Sequence, residues 1–289
     1  MILLLGGSGY VGSAFRALFA RRGIEHVSVS RRECDYTLLD PLTTLIQDSK
    51  ATFLVNAAGY TGKPNVDACE RDKAACLAGN AMLPIVIAKA CERSSLPWGH
   101  VSSGCIYTGA RSDGHGFTET DAPNFSFRSP TSSFYSGTKA LAEECLAGAD
   151  RTYLWRLRIP FDHVDSPRNY LSKLQRYRRL LDARNSLSHL GEFAEAAWAC
   201  WEQRVPFGIY NVVNTGSVTT RDVVALIQQR LQPDRDFDFF DSEEEFLKLA
   251  AQTPRSNCVL DNSKLRAAGV AISHVHDALE RALANWQAA

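Results

Sequence analysis

What this chain lacks narrows its class early. It has no surplus of either charge, with Lys plus Arg and Asp plus Glu at 32 each, so no basic field draws it to nucleic acid or to an anionic membrane. It has no run of about 18 uninterrupted apolar residues, which argues against a membrane span. Met1 to Leu5 is apolar but has no basic lead, no long apolar region and no cleavage site before glycines interrupt it. That stretch reads as a strand and not as a signal peptide, and a cytoplasmic location is expected. The eight cysteines (Cys34, Cys69, Cys76, Cys91, Cys105, Cys145, Cys200, Cys258) include no Cys-x-x-Cys pair and no partner His at metal-site spacing. Reduced, mostly buried thiols and no metal are expected. Repeats and low-complexity segments are also missing.

What is present is an ordinary globular composition, 45% hydrophobic and 22% charged over 289 residues, enough for a nucleotide-binding domain with a smaller lobe. Ile2 to Leu5 reads as a strand, Gly6 to Gly12 as a tight turn, and Ser13 to Arg22 as a helix with Phe15, Leu18 and Phe19 on one face. A strand at 26–30, a helix at 41–47 and a strand at 52–56 follow. A helix over 66–93, a strand at 99–102, a loop over 104–132, a helix at 133–147 and a strand at 153–157 complete a repeating βα pattern. After Pro160 the pattern loosens, with a strand at 209–213 and helices at 220–231, 241–251 and 262–268. The alternation predicts an α/β fold, a Rossmann-type doubly wound parallel sheet with a smaller C-terminal substrate-binding lobe. The expected division is 1–158 for the dinucleotide-binding domain, returning near 188–231, with 159–187 and 232–289 as a discontinuous lobe.

Gly6, Gly9 and Gly12 form G-x-x-G-x-x-G between strand and helix. A pyrophosphate needs a tight turn, a side-chain-free approach and helix amides facing it, so Gly6, Gly9, Tyr10, Val11 and Gly12 are candidates for cofactor binding. After the second strand, where an acidic residue would hold a ribose 2′-hydroxyl, the chain has Ser30, Arg31 and Arg32. Two guanidinium groups and a hydroxyl suit a 2′-phosphate, which favours NADP(H) over NAD(H) despite the nearby Glu33. Asn56, Ala57, Ala58 and Gly59 give small residues at the end of the third strand, where backbone must pass close to the cofactor. Asp35 and Tyr36 are weaker candidates for the adenine.

Tyr135 and Lys139 stand at i and i+4, on one face of a helix. A phenol can give its proton to a carbonyl oxygen as hydride reaches the carbon. Lowering its pKa from near 10 by about 3 units takes roughly 4 kcal/mol, on a scale that an adjacent ammonium can supply. Ser103, at the end of the strand some 30 residues earlier, sits at the sheet edge where ligands of such folds bind and can donate to the same oxygen. Tyr135 and Lys139 would also contact the cofactor. Asn80, on the preceding helix, can support a water or backbone contact near Lys139 or simply pack.

With these elements placed, the chain resembles the extended short-chain dehydrogenase/reductase family acting on sugar nucleotides. More narrowly it resembles the nucleotide-rhamnose 3,5-epimerase/4-reductases, and more distantly the dTDP-4-dehydrorhamnose reductases and GDP-fucose synthases. The resemblance rests on Asn56 to Asp67 (NAAGYTGKPNVD), Gly104-Cys105-Ile106-Tyr107, Asp121 to Phe125 (DAPNF), Pro167-Arg168-Asn169-Tyr170 and Pro254-Arg255-Ser256-Asn257. It implies an NADPH-dependent enzyme converting a nucleotide-linked 4-keto-6-deoxyhexose to a 6-deoxyhexose such as nucleotide-L-rhamnose. It further implies that Cys105 and Lys173 act as the acid/base pair of epimerisation. A C4 ketone acidifies the hydrogens on C3 and C5, so that chemistry is sound on its own terms. Arg255 suits the substrate pyrophosphate, and Cys105, Asn124, Arg168 and Asn169 are candidates for the same cleft. The segment Phe125 to Ser132 is longer than its family counterpart and is expected to border the substrate. Two alternatives stay open: a simple 4-ketoreductase in which Cys105 only packs, and a silent NADP-binding regulatory subunit. A homodimer is possible on general grounds.

Overall fold

A computed structural model describes residues 1–63 and 65–288; Pro64, within one of the segments that carry the resemblance, lies outside the described residues. Six parallel strands form the central sheet: β1 (Ile2–Leu5), β2 (His26–Val29), β3 (Phe53–Asn56), β4 (Trp98–Ser103), β5 (Thr152–Leu157) and β6 (Gly208–Asn211). Their order is β6-β5-β4-β3-β1-β2. The direction of winding reverses between β1 and β3, which opens a crevice at their C-terminal ends, the usual ligand position in such sheets.

Helices cover both faces. Helices α1 (Tyr10–Arg22) and α2 (Leu39–Ser49) follow β1 and β2, α3 (Leu83–Arg93) precedes β4, and α4 (Phe134–Cys145) precedes β5. Later in the chain come α5 (Tyr170–Arg176), α6 (Leu190–Glu202), α7 (Thr220–Arg230) and α8 (Val275–Ala284). One face buries Phe15, Phe19, Phe53, Trp155, Phe193 and Trp198 between α1, α6 and the sheet. The other buries Leu3, Leu42, Ile46, Leu54, Ile87 and Trp98. A third apolar cluster stands apart from the sheet: Phe161, Leu171, Leu174, Val223, Ile227, Leu279 and Leu283 hold α5, α7 and α8 together. The lobe is therefore assembled from separated stretches, because none of these helices can bury its apolar face alone.

Several stretches differ from the sequence pattern, α5 and α8 among them, which that pattern leaves without a helix. The single helix expected over 66–93 is three pieces plus a π-helical turn: Ala68–Arg71, Lys73–Leu77, Ala78–Met82 and α3. Asp72 leaves helical geometry and its carboxylate accepts from the Ala75 amide, so it restarts the helix by capping it. The run Lys73–Arg93 has a mean hydropathy of 1.6, enough by length and composition to cross a membrane; here it packs beside α4 and α2 in the layer covering the sheet. A further difference is α6. Its many alanines blur the 3.6-residue stripe, and Leu190, Phe193, Ala194, Ala197, Trp198 and Cys200 are buried around much of its circumference.

An ion pair between Glu143 and Arg156 fastens α4 to the sheet. The carboxylate accepts from Arg156 Nη2 at 2.7 Å and from Nε at 3.1 Å, with both residues buried. Ser102 Oγ donates to the same carboxylate at 2.5 Å. The guanidinium lies 5.2 Å from the centre of the Tyr107 ring, which stacks on Phe117. Glu143→Gln removes the countercharge and leaves a buried cation, an expected loss of about 3–5 kcal/mol. Urea unfolding measures it, and the double variant Glu143→Leu/Arg156→Met should recover more than half of that loss.

Candidate functional site

The glycine turn is shaped by close packing. A Cβ on Gly12 would lie 2.1 Å from the Gly6 carbonyl oxygen, and Gly6 (φ +78°) passes so near the Ala57–Ala58 backbone that a Cβ would meet it at 2.5 Å. The first turn of α1 has Gly9 at its N-cap, no side-chain cap and no acidic residue. Its amides face the crevice unneutralised, which fits the pyrophosphate of a dinucleotide. Asn56 fixes the neighbouring turn: its carboxamide accepts from Ala58 N at 3.0 Å and its Nδ2 meets His100 Nδ1 at 2.9 Å. Beyond β2, Glu33 accepts the Ser30 amide at 2.8 Å and so closes its own turn. Arg31 and Arg32 are exposed beside it. Tyr36 is buried among Val29, Leu42 and Ile46, and so belongs to the core.

Ser103 ends β4, and Tyr135 and Lys139 lie on the first two turns of α4. Ser133 caps that helix by accepting from Ser136 N at 3.1 Å, and Glu70 accepts from Phe134 N at 2.7 Å. Ser103 Oγ accepts from the Cys105 amide at 3.2 Å, and its hydroxyl lies near enough to the Tyr135 phenol and the Cys105 thiol to oppose the rise in both, so the three share one spot. Lys139 Nζ donates to Val101 O at 3.4 Å and sits 3.7 Å from where a Cβ on Gly59 would stand. Burial pushes the Tyr135 phenol well above its ordinary range, with nearby cysteines adding to the rise, and burial pushes the Lys139 ammonium down. The expected lowering of the phenol by Lys139 is therefore outweighed in the protein alone, because desolvation opposes every charged form there. The phenol is held neutral, the form that donates a proton.

Asn80 lies in the π-helical turn, fully buried. Its Oδ1 accepts from Tyr60 N at 2.9 Å, and its Nδ2 donates to Tyr60 O at 2.8 Å, to Thr138 Oγ1 at 3.3 Å and to Cys76 Sγ at 3.3 Å. It thus clamps the loop after Gly59 to the helix that carries Lys139. A π-turn aims a side chain off the regular helical repeat, which accounts for its use at such a junction.

The remaining candidates divide into two groups. Lys173, Arg168 and Arg255 come together: burial and the two guanidinium charges push the Lys173 ammonium down. Arg255 grips Asp67 in a two-pronged pair, Nη1–Oδ1 2.6 Å and Nη2–Oδ2 2.7 Å. Arg168 donates to Thr61 Oγ1 at 2.9 Å and to Gly62 O at 2.8 Å. Cys105 is buried in the turn Gly104–Ile106, and burial raises its thiol, opposed by Ser103, Ser136 and the charges of Arg158 and Lys139. The Arg255–Asn257 stretch links the groups, since Ser256 Oγ donates to Tyr107 O at 2.6 Å.

Two candidates serve the scaffold instead. Asn169 is fully buried, caps α5 through Leu171 N at 3.0 Å, and donates to Asp162 O at 2.7 Å and Val164 O at 2.8 Å. Asn124 spends its carboxamide on the Thr108 backbone, at 2.8 and 2.9 Å. The segment 125–132 runs along the outer face of α4, away from Tyr135: the Phe127 ring lies where a Gly137 side chain would stand, and Arg128 pairs with Glu144 at 2.8 Å. Asp162, His163 and His189 bring ligand atoms within 4.8 Å of one another. His189 Nδ1 accepts from Glu192 N at 3.3 Å, capping α6. The site residues that the sequence pattern left unmarked are Arg156, Arg158, Glu143, Asp67 and Cys76. Two arginines spaced two apart, one in the otherwise mostly apolar strand β5 and one just past its end, were the available signal.

The chain as a whole is similar to known proteins. Over 271 residues the chain is 32% identical to a bifunctional dTDP-4-dehydrorhamnose 3,5-epimerase/dTDP-4-dehydrorhamnose reductase of Arabidopsis thaliana, covering 91% of this chain and 86% of that protein. It is also 32% identical to a trifunctional UDP-glucose 4,6-dehydratase/UDP-4-keto-6-deoxy-D-glucose 3,5-epimerase/UDP-4-keto-L-rhamnose-reductase of the same plant, again over 91% of this chain but only 39% of the relative's length. The crystal structure of a UDP-rhamnose synthase from Acanthamoeba polyphaga mimivirus superimposes with a TM-score of 0.90 at 22% identity, covering 98% of each chain. Residues 1–288 match the family described as the RmlD substrate binding domain, and the chain belongs to that family.

Proposed function

We propose that the protein is an NADPH-dependent 3,5-epimerase/4-reductase acting on a nucleotide-linked 4-keto-6-deoxyhexose. The observation that carries this reading is the convergence of Ser103, Tyr135 and Cys105 at one spot beside Lys139. A reductase alone needs the hydroxyls and the lysine; a buried thiol beside them, its own amide held by Ser103 Oγ at 3.2 Å, suits chemistry at the carbon next to the ketone. The cofactor would be held by the Gly6–Gly12 turn, by Ser30, Arg31 and Arg32 at a 2′-phosphate, and by Lys139 at the ribose. The sugar would lie between the sheet domain and the lobe that α5, α7 and α8 build, so the lobe takes in residues 220–230 as well as parts of 159–187 and 232–289. When bound, NADPH supplies hydride to the ketone carbon.

The residues divide the proton work. Lys173 is pushed toward the neutral amine and Cys105 toward the neutral thiol, so Lys173 removes a hydrogen next to the ketone and Cys105 returns one from another direction. Ser103 and Tyr135 donate to the oxygen that becomes negative in the enolate. Once the centres are set, Tyr135 gives its proton to that oxygen as the carbonyl is reduced. Arg255 and Arg168 supply donors for the diphosphate, Arg255 by exchanging Asp67 for it.

Incubation with a 4-keto-6-deoxyhexose nucleotide in D2O without NADPH should place deuterium at C3 and C5, read by NMR. Cys105→Ala and Lys173→Ala should each slow that exchange by about 10²-fold or more while reduction of an already epimerised substrate persists. Exchange that continues undiminished in both variants would remove the assignment. The exchange rate should rise with pH as Lys173 loses its proton and fall again as Cys105 loses its own, giving a bell whose limbs these variants abolish. A separate measurement tests the cofactor: the double variant Arg31→Ala/Arg32→Ala should weaken NADPH binding by roughly 10- to 100-fold and leave NADH binding unchanged. Equal loss for both cofactors would show that the arginines do not read the 2′-phosphate.

A further inference from the structure

Arg158 follows directly on the end of β5, two residues after Arg156, and both are buried, at 2% and 5% exposure, yet their surroundings are opposite. Arg156 has Glu143. Arg158 has only neutral acceptors: its Nη2 donates to Asn185 Oδ1 at 2.6 Å and to the Ser256 carbonyl, and its Nε has no partner among the described residues. The Gly104 backbone lies against this side chain, a Cβ there standing 3.5 Å from Arg158 Cδ, which puts the guanidinium stem beside the turn that carries Cys105. A buried guanidinium without a carboxylate is expensive, and a fold that supplies a partner to one arginine and withholds it from the next leaves a positive charge available for an anion formed elsewhere.

We propose that Arg158 is a positioning residue for epimerisation: its buried, carboxylate-free guanidinium is the countercharge for the thiolate that Cys105 becomes after giving its proton to the sugar. This rests on the role of Cys105 given above. In the step itself the S–H bond breaks, a C–H bond forms at the enolate carbon, and the electron pair stays on sulfur. The proton taken by Lys173 balances the one delivered. The groups facing Cys105 are Ser103 at the end of β4, Tyr135, Ser136 and Lys139 on α4, and Arg158 just past the end of β5. Those facing Arg158 also include Cys258 and Tyr170, both neutral acids that burial pushes up. Of the two cations near Cys105, Lys139 is itself pushed toward neutrality, so the fixed charge is the arginine's.

The test compares wild type, Arg158→Gln and Arg158→Lys, each with NADPH binding measured as a check on the fold. The pH profile of deuterium exchange into the substrate is the first readout. Arg158→Gln should lower the plateau by about tenfold and move the alkaline limb up by about one pH unit. Arg158→Lys should keep the limb near its wild-type position. A limb that stays put in the glutamine protein, or that moves equally in the lysine protein, overturns the proposal. Thiolate absorbance of Cys105, taken as the difference from the matching Cys105→Ala protein, reads the same shift without substrate, so the countercharge is tested even if Cys105 proves to have no part in epimerisation. If the glutamine protein does not fold, wild type still decides. Cys105 should titrate at lower pH than Cys91, which is buried without a cation and is pushed up by desolvation alone; equal titration refutes the role of Arg158.

Discussion

The Glu143–Arg156 pair is the constraint on which the site geometry depends. Lys139 lies one turn before Glu143 on the same helix and Tyr135 one turn earlier still, so the anchor that holds Glu143 to β5 fixes the height and rotation of both. Ser102, bonded to the same carboxylate, is the residue before Ser103. One ion pair thus sets the hydroxyl at the strand end against the phenol on the helix. Arg156 in turn rests on Tyr107, two residues beyond Cys105, which brings the thiol-bearing turn under the same control.

Desolvation governs the chemistry assembled there. In water the phenol, thiol and ammonium would each have ordinary affinities for protons; buried together, all three are driven toward their neutral forms. A neutral phenol and a neutral thiol are proton donors, and a neutral amine at Lys173 is a base. The same burial makes any anion formed in turnover costly, the cost that the proposed role of Arg158, bonded among the described residues to neutral acceptors, would offset next to Cys105.

The cleft between sheet and lobe is spanned by polar contacts from separate parts of the chain. Arg255 on Asp67, and Arg168 on Thr61 and Gly62, tie the lobe to the loop that leaves β3. Three of the segments that carry the family resemblance meet there, which explains why they stand out although they are far apart in sequence. Asn80 secures the other end of the loop at Tyr60.

The sequence by itself determined the parallel sheet, the glycine turn, and the placement of Ser103 at a strand end and of Tyr135 and Lys139 one turn apart on a helix, because each rests on local spacing: alternation of apolar runs, glycines where no side chain fits, and an i, i+4 pair. It determined less about the lobe, whose helices bury their faces only against partners distant in the chain. What tertiary structure alone decided is which polar residues face the cleft and in what charge state. Asn169 and Asn124 look like ligands in sequence, yet their carboxamides are taken up by backbone. The segment 125–132 lies behind α4 because Gly137 leaves a gap for Phe127. Arg156 and Arg158 stand two residues apart, and the position of Glu143 on another element separates a structural ion pair from a guanidinium held by neutral acceptors. Proton affinities follow the same rule, since burial is a property of the assembled protein and no spacing of residues encodes it directly.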